Sequence, residues 1–291
     1  MEILRSIAAM RARVDELRAT GRSHALVPTM GALHAGHCAL IRRARREAGH
    51  VTVSVFVNPT QFGPGEDYLR YPRDLDADRQ LLEGLGGVNV IFAPDVNELY
   101  PGGREAQRVW VDSPGMSAAL CGRHRPGHFR GVLTVVAKLL AICEPQSAVF
   151  GLKDIQQYCM IRRMAQDLAL PTRIIGIETV REQDGLAISS RNTFLTEDQR
   201  AQAPALSRAV WLARELIESG ERSAAAVEEA MEQALIKAPL VELQYAEVVG
   251  AETLEPVAGL EPGEKVLAAV AVFFDRTRLI DNEIVQVPHV C

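Results

Sequence analysis

The stretch ALVPTMGALHAGH, residues 25–37, decides how the first half of the chain is organised. Its apolar beginning, residues 25–27, predicts a buried strand, and a helix is predicted from about Cys38 to Ala48. The strand therefore leads into the helix through a short loop that carries glycines and two histidines. Backbone N–H groups in the first turn of a helix lack partners within the helix, and the helix dipole adds positive charge there. Such a junction favours an anion, most often a phosphate.

The two histidines of this loop, His34 and His37, are the candidate catalytic residues. Imidazole N–H groups can donate hydrogen bonds to phosphoryl oxygens while charge develops on them. Gly31 and Gly36 flank the pair and let the backbone approach a ligand closely. Histidines three residues apart are more often ordinary surface or core residues. The strand–loop–helix context, and the polar motifs that follow later strands, favour a phosphate site here.

Strand and helix patterns alternate through the first part of the chain. The sequence predicts strands at residues 25–27, 51–57, 88–92, 109–111, 148–150 and 173–177, and helices at residues 3–17, 38–48, 74–85, 132–140 and 154–168. Strands separated by helices predict an α/β fold, a Rossmann-like doubly wound parallel sheet that binds ligands at the carboxyl ends of its strands. We assign residues 1–179 to this nucleotide- and substrate-binding domain.

The remaining residues, 180–291, predict a smaller C-terminal α+β domain that acts as a lid. Thr196 and Gln199 form a capping-box pattern that opens a long helix to about Glu218, and a second helix is predicted over residues 224–236. Strands are predicted at residues 241–249, 265–274 and 278–287. Consecutive helices followed by consecutive strands are typical of a separate α+β unit.

Composition and charge narrow the class of protein. The 291-residue chain is 47% hydrophobic and 24% charged with a formal net charge of -5, which is typical of a soluble enzyme and unlike a nucleic-acid or membrane-surface binder. No C-x-x-C pair occurs among Cys38, Cys121, Cys143, Cys159 and Cys291, which indicates free thiols in a reducing compartment. The N-terminus has charges where a signal peptide needs an apolar core. We therefore expect a cytoplasmic protein.

Two polar segments complement the histidine loop. Asn58 and Gln61, in NPTQF, follow the second predicted strand and offer amide groups suited to a substrate with hydroxyl and carboxylate groups. Arg125 and His128 lie in a cation-rich segment from which we expect a contribution to the site. Taken alone, an Asn-Pro pair is simply a turn signal. The expected proximity of this loop to the histidine loop favours the functional interpretation.

Two later segments suit a polyphosphate. In FGLKDIQQ, Lys153 can neutralise phosphate and Asp154 can cap the helix or hold Mg²⁺, while Gln157 follows one turn into the helix. In ISSRN, Ser189 supplies a hydroxyl and Arg191 a planar guanidinium for phosphate oxygens. Alone, the first segment also fits an ordinary capped helix and the second a polar linker.

In this order and spacing, the motifs PTMGALHAGH, NPTQF, HFRGVLTVV, FGLKD and ISSRN resemble those of the pantoate–β-alanine ligases. These enzymes, the pantothenate synthetases, belong to the nucleotidyltransferase superfamily with HIGH-type motifs. The likeness covers residues 25–195. It implies ATP-dependent condensation of pantoate with β-alanine to pantothenate, AMP and diphosphate through a pantoyl adenylate, a step of coenzyme A biosynthesis. It also implies Mg²⁺ and a homodimer.

The resemblance implies a role for individual residues. His37 would be the proton donor, Gln61 and Gln157 would bind pantoate, and Arg125 would line the site. The implied catalytic set is His34, His37, Asn58, Lys153, Ser189 and Arg191. The implied ATP-binding set is Met30, Gly31, Ala32, Leu33, His34, Ala35, Gly36, His37, Gly151, Leu152, Lys153, Asp154, Val180, Ile188, Ser189, Ser190 and Arg191. Asp78 and Asp154 are the candidate Mg²⁺ ligands.

Two positions depart from the family's pattern, and two other interpretations stay open. Leu152 stands where relatives often have Glu, and Ile188 stands where they often have Met. A related nucleotidyltransferase could adenylate a different small acid or a phosphate acceptor. Gln61 and Gln157 argue for a hydroxy acid, because two amides suit it better than a charged phosphate acceptor. A non-catalytic nucleotide-binding module is the third interpretation.

Overall fold

The computed structural model describes residues 1–289, so Cys291 lies outside the described residues. The strands are β1 (Glu2–Leu4), β2 (His24–Thr29), β3 (His50–Val55), β4 (Val90–Phe92), β5 (Ser147–Gly151), β6 (Arg173–Ile177), β7 (Glu242–Gly250), β8 (Lys265–Phe274) and β9 (Thr277–Gln286). The helices are α1 (Ile7–Ala19), α2 (Ala35–Glu47), α3 (Leu75–Leu85), α4 (Val96–Leu99), α5 (Pro114–Ser117), α6 (Leu120–His124), α7 (His128–Cys143), α8 (Ile155–Asp167), α9 (Glu197–Gln202), α10 (Ala205–Glu218) and α11 (Ala224–Ile236). Short 3-10 turns at Pro59–Gln61, Leu152–Asp154 and Ser190–Phe194 follow strands or loops of the predicted site.

The chain divides into two compact units. The first consists of Met1–Ser113, Arg125–Leu152 and Gln157–Glu178, and the second of Pro114–His124, Lys153–Gln156 and Thr179–Cys291. In the first unit, six strands pair in parallel in the order β1-β4-β3-β2-β5-β6, with helices as the crossovers. In the second unit, β7, β8 and β9 form an antiparallel sheet. The predicted fold class is therefore confirmed.

Side-chain alternation along β2 explains how the six-stranded sheet is covered. Ala25 and Val27 lie in one core with Ile41 of α2, and all three are fully buried. Leu26 points to the opposite face and is also fully buried, which is why the strand reads as a continuous apolar run. The strand order changes direction between β2 and β5. The loops after these strands begin at the point where such folds bind ligands.

The second unit builds its core from helices packed on one sheet. Val210 of α10 and Met231 of α11 are fully buried together with alternate residues of β8 such as Val270. The core residues of β8 lie at every second position of the strand, as the alternation of side chains along a strand requires. Among the described residues no helix is both long and apolar enough to cross a membrane. Cys38, Cys121, Cys143 and Cys159 form no disulfide.

Three predicted elements are wrong. Ile3 belongs to strand β1, because Ser6 caps the first helix and its side chain accepts the Ala9 N–H. Residues 109–111 form no strand. The helix predicted from the capping box to Glu218 is two helices, α9 and α10. Pro204 lies at the interruption, since proline has no N–H to continue the helical hydrogen bonds. The capping box itself is confirmed.

Candidate active site

The loop after β2 orders its two histidines through their own backbone. His34 is the N-cap of α2, and its Nδ1 accepts the Gly36 N–H at 3.2 Å. His37 Nδ1 in turn accepts the His34 N–H at 3.2 Å. The pair forms a reciprocal capping box made of imidazoles instead of a hydroxyl and a carboxyl. Because both Nδ1 atoms accept, each neutral ring carries its proton on Nε2, which is then the donor of the ring.

Two glycines are required by this geometry. A Cβ at Gly36 would lie 2.9 Å from His34 Cε1, so a larger residue would displace the first imidazole. Gly31 has a φ of +80°, and a Cβ there would lie 2.8 Å from Asp78 Oδ2. The motif therefore needs glycine at position 36 so that the His34 ring can pack. At position 31 it needs glycine for the positive φ and for the close contact with Asp78.

Asp78 of α3 holds the turn between β2 and the histidines. Its side chain is buried; Oδ2 accepts the Ala32 N–H at 3.1 Å and Oδ1 accepts the Leu33 N–H at 2.7 Å. Burial raises the pKa of Asp78, although both hydrogen bonds oppose the rise. Ala32 has a φ of +51°, a conformation that alanine rarely adopts, so these bonds stabilise a strained turn. In this structure Asp78 orders the turn, and its role as a Mg²⁺ ligand stays a prediction.

The turn after β3 presents Gln61 from a buried amide network. Asn58 is 1% exposed; its Nδ2 donates to Gln61 Oε1 at 3.0 Å, and its Oδ1 accepts the Thr60 N–H at 3.3 Å. Gln61 Nε2 lies 3.1 Å from Met30 Sδ, so the histidine loop and the amide turn meet at one edge of the sheet. Asn58, which the resemblance placed in the catalytic set, orients Gln61 in this structure.

Arg125 and His128 reach the same turn, and their predicted contribution to the site stays a prediction. His128 Nδ1 lies 2.7 Å from Gln61 O and must donate to this carbonyl, so its Nε2 accepts from Arg125 Nη1 at 3.0 Å. Arg125 Nε also donates to Glu66 Oε1 at 2.8 Å. Burial alone would raise the pKa of Glu66, but the hydrogen bond and charge of Arg125 lower it.

In the second unit, strand β9 contacts one predicted phosphate-binding residue, Lys153, and anchors the loop that carries others. Asn282 Nδ2 donates to Lys153 O at 2.9 Å. Beside it, Asp281 forms a bidentate ion pair with Arg181, with Nη1–Oδ2 at 2.6 Å and Nη2–Oδ1 at 3.0 Å. The Asp281 side chain is 1% exposed and that of Arg181 16%. The ion pair therefore anchors the start of the loop that leads to residues 188–191.

That loop has its own internal order. The Ile188 N–H donates to Val180 O at 2.9 Å, and Ser189 Oγ accepts the Arg191 N–H at 3.2 Å as the N-cap of a 3-10 turn. Sequence reasoning missed Arg181, Asp281 and Asn282. The polar run at residues 281–283, between the apolar pairs at 279–280 and 284–285, was the available signal for the last two.

The remaining predicted residues are distributed between the units. Gly151 ends β5 in the first unit, and Gln157 lies in the first turn of α8. Leu152 covers β6, since a Cβ at Gly176 would lie 2.6 Å from Leu152 Cδ2. Asp154 belongs to the second unit and is exposed.

Comparisons with known proteins place this arrangement in a family. The family model for pantoate-beta-alanine ligase matches residues 2–284. The chain is 57% identical to the pantothenate synthetase of Salinibacter ruber over 292 residues, which cover 99% of each chain. It is 50% identical to that of Moorella thermoacetica over 287 residues, again 99% of each. The chain belongs to the pantoate–β-alanine ligase family. Members of the family are amide-forming ligases, so the predicted enzyme class is confirmed.

Solved structures of pantoate–β-alanine ligases share the fold over their full length. The crystal structure of pantothenate synthetase from Thermus thermophilus is 46% identical, with a TM-score of 0.89, and the match covers 99% of this chain and 100% of that one. The pantoate–β-alanine ligase of Francisella tularensis, solved in complex with beta-gamma ATP and β-alanine, is 33% identical with a TM-score of 0.78 and coverages of 98% and 97%. The family resemblance drawn from the motifs is confirmed.

Proposed function

We propose that this chain condenses pantoate with β-alanine to give pantothenate, AMP and diphosphate, and so takes part in coenzyme A biosynthesis. One observation carries the proposal: the Gln61 amide and the histidine loop meet at one sheet edge, where Gln61 Nε2 lies 3.1 Å from Met30 Sδ. A donor set for phosphate thus lies beside an amide for a hydroxy acid. ATP is needed because a carboxylate is a poor electrophile, and attack by an amine would have to expel oxide.

The first step is adenylation. A carboxylate oxygen of pantoate attacks the α-phosphorus of ATP, and the bond from that phosphorus to the bridging oxygen breaks as diphosphate leaves with the electron pair. The Nε2–H groups of His34 and His37 donate to phosphoryl oxygens as charge develops, with His37 as the proton donor. The loop of residues 30–37 contributes backbone N–H groups at the start of α2. Lys153, Ser189 and Arg191 contact phosphate oxygens in this proposal.

The second step forms the amide. The neutral amine of β-alanine attacks the carbonyl carbon of the pantoyl adenylate, the bond to the AMP oxygen breaks, and the nitrogen loses a proton. Gln61 and Gln157 hold the pantoyl group, and Arg125 lines the site through its contacts with His128. No covalent enzyme intermediate is required, so catalysis depends on alignment and on charge stabilisation.

Mg²⁺ fits this site as the partner of the ATP phosphates. Within residues 1–289, no group of three or more His, Cys, Asp or Glu side chains is arranged to hold a metal ion. Mg²⁺ commonly keeps phosphate oxygens and waters and takes only one or two carboxylates from the protein. Asp154 is exposed and suits that role, whereas both oxygens of the buried Asp78 accept backbone hydrogen bonds. When bound, Mg²⁺ would offset the negative charge of the phosphates.

The proposal includes the organisation of the chain. Residues 1–179 bind the nucleotide and pantoate, and residues 180–291 act as a lid domain. The chain works as a cytoplasmic homodimer. Light scattering on the purified protein measures the dimer, and a mass equal to one chain of 31.8 kDa would contradict it.

The direct test is AMP formation by the purified protein. We expect AMP from ATP and Mg²⁺ only when both pantoate and β-alanine are present, with pantothenate as the second product. AMP formation with another small acid or with a phosphate acceptor, and not with pantoate, would favour a different nucleotidyltransferase. ATP binding without any turnover would favour a non-catalytic module.

A further inference from the structure

We propose that Gly131 and Tyr100 are positioning residues that set where the Gln61 amide meets the hydroxy acid. They act through Asn58 and the backbone of the turn, not through contact with the substrate. The inference rests on the proposed function, because that function supplies the acid that Gln61 binds. Gly131 lies within the motif HFRGVLTVV, but neither residue is in the catalytic or binding sets that the resemblance implies.

Gly131 allows α7 to touch the turn at Pro59–Gln61. A Cβ at Gly131 would lie 2.3 Å from Thr60 O and 2.7 Å from Gln61 N, both backbone atoms. Ordinary contact for such a carbon begins near 3.4 Å, so an alanine forces the helix and the turn apart by about 1 Å. The Gly131 carbonyl also accepts Asn58 Nδ2 at 3.1 Å. This glycine thus fixes both the distance of the turn and the rotation of the Asn58 amide.

Tyr100 fixes the same amide from the other side. It is 1% exposed, and its Oη donates to Asn58 Oδ1 at 3.0 Å. The ring is itself held by Lys138, whose Nζ lies 4.0 Å from the ring centroid and donates to Leu99 O at 2.6 Å. Asn58 then passes this constraint to Gln61 through the bond from Nδ2 to Oε1. Because the Oε1 of Gln61 accepts from Asn58, its Nε2 is the amide group that lies towards the histidine loop, 3.1 Å from Met30 Sδ.

Helix α7 also holds the backbone of Gln61, whereas α3 holds the loop that carries the histidines. His128 in the first turn of α7 contacts Gln61 O at 2.7 Å. The turn that precedes the histidines is instead anchored by Asp78 on α3. A displacement of α7 should therefore affect affinity for the hydroxy acid and leave affinity for ATP nearly unchanged. A change in affinity for the hydroxy acid alone would indicate positioning, whereas general damage to the fold would change the affinity for both substrates.

The test compares Gly131→Ala with Gly84→Ala in steady-state kinetics. Gly84 is a helical glycine of α3, and a Cβ there meets nothing within 4 Å, so it is a matched control for the same chemical change. In Gly131→Ala we expect the KM for pantoate to rise about 10- to 100-fold, since a misplacement near 1 Å of a substrate-positioning group can cost about 100-fold in activity. The KM for ATP should stay within about twofold of its original value. Gly84→Ala should leave both constants unchanged.

Tyr100→Phe provides a second, milder variant that keeps the ring and its contact with Lys138. Loss of one hydrogen bond to Asn58 should raise the KM for pantoate about 3- to 10-fold, again without a change for ATP. Circular dichroism and Tm verify that each variant is folded. If Gly131→Ala does not fold, Tyr100→Phe alone decides the matter.

The outcomes separate the inference from the proposed function. A selective rise in the KM for pantoate supports the inference. An unchanged KM for pantoate in folded variants of an active enzyme overturns the inference alone, and so does an equal rise for pantoate and ATP. A wild-type protein that forms no AMP with pantoate overturns the proposed function, and the inference falls with it because Gln61 then has no pantoate to position.

Discussion

The turn at residues 58–61 and the loop at residues 180–192 both carry predicted substrate-binding residues, yet they are held by different interactions. Neutral amides and hydroxyls hold the turn, with Asn58 at their centre. A buried ion pair between Arg181 and Asp281 holds the loop. A neutral hydrogen bond contributes about 1 kcal/mol, whereas removing one partner of a buried ion pair leaves an uncompensated charge. Loss of one hydrogen bond at the turn should therefore cost little stability, whereas loss of the ion pair at the loop should cost more.

The largest expected effect tests the ion pair. Asp281→Ala leaves the Arg181 guanidinium unpaired, and we expect the free energy of unfolding to fall by about 3–5 kcal/mol in urea denaturation. The matched control is Glu182→Ala, which removes an ion pair with Arg200 whose side chains are 30% and 38% exposed. The control should lose at most about 1 kcal/mol. Equal losses in the two variants would contradict the claim that the buried pair, more than an exposed one, holds the loop.

The next prediction concerns chemistry at the two predicted phosphate-binding regions. His37→Ala and Lys153→Ala each remove one donor, which costs about 2.7–4 kcal/mol in comparable sites. We therefore expect adenylation, measured as diphosphate release, to slow by roughly two to three decades while circular dichroism stays unchanged. Diphosphate release near the original rate in both variants would contradict the roles assigned to these residues.

Acid should weaken the unit that carries the turn through a buried histidine pair. Burial, followed by the charge of His50, lowers the pKa of His24 from 6.5 to about 4. Burial and nearby arginines lower the pKa of His50 to about 4 as well. Both rings stay neutral in the folded protein and protonate in the unfolded chain below its pKa of 6.5. Stability should therefore be complete above that pH and decline as the pH falls towards 4.

The His24 shift alone contributes about 3 kcal/mol to this decline between neutral pH and pH 4, and the His50 shift adds to it. Urea denaturation of the wild type and of His24→Gln over this pH range measures it, and the variant should show a shallower decline. A free energy of unfolding that is independent of pH between 7 and about 4 would contradict the burial argument.

The smallest expected effect concerns the histidine loop. Here the affinity for ATP should change and that for pantoate should not, the reverse of the result expected for Gly131→Ala. Asp78→Asn keeps the side-chain size but replaces one acceptor oxygen by an N–H₂ group that faces a backbone N–H. Loss of that hydrogen bond should raise the KM for ATP about tenfold and leave the KM for pantoate unchanged. A selective rise for pantoate would show that the histidine loop and the amide turn are not held independently.

The sequence predicted most of the elements because local patterns decide them. The apolar run of β2 and the capping box at Thr196 are readable from a few neighbouring residues. The failures have local causes too: β1 is only three residues long, and Pro204 divides a helix whose apolar pattern continues across it. The predicted domain boundary after residue 179 was also placed from the order of the elements along the chain, where alternating strands and helices give way to consecutive helices and then consecutive strands.

The supports of the site were less accessible to sequence reasoning. Asn58 and Gly131 lie 73 residues apart in the chain, and the need for glycine arises only because α7 touches the turn. Arg181 and Asp281 are 100 residues apart. Asn58 and Gly131 both lie within recognisable motifs, but the contact between them is defined only by the tertiary structure.

Exchange of labelled diphosphate into ATP is the most direct test of adenylation at this site. With pantoate, ATP and Mg²⁺ but no β-alanine, we expect exchange, because the first step is complete and reversible without the amine. Exchange should require pantoate and fall by roughly two to three decades in His37→Ala. Exchange that needs β-alanine, or that continues undiminished in His37→Ala, would contradict the account.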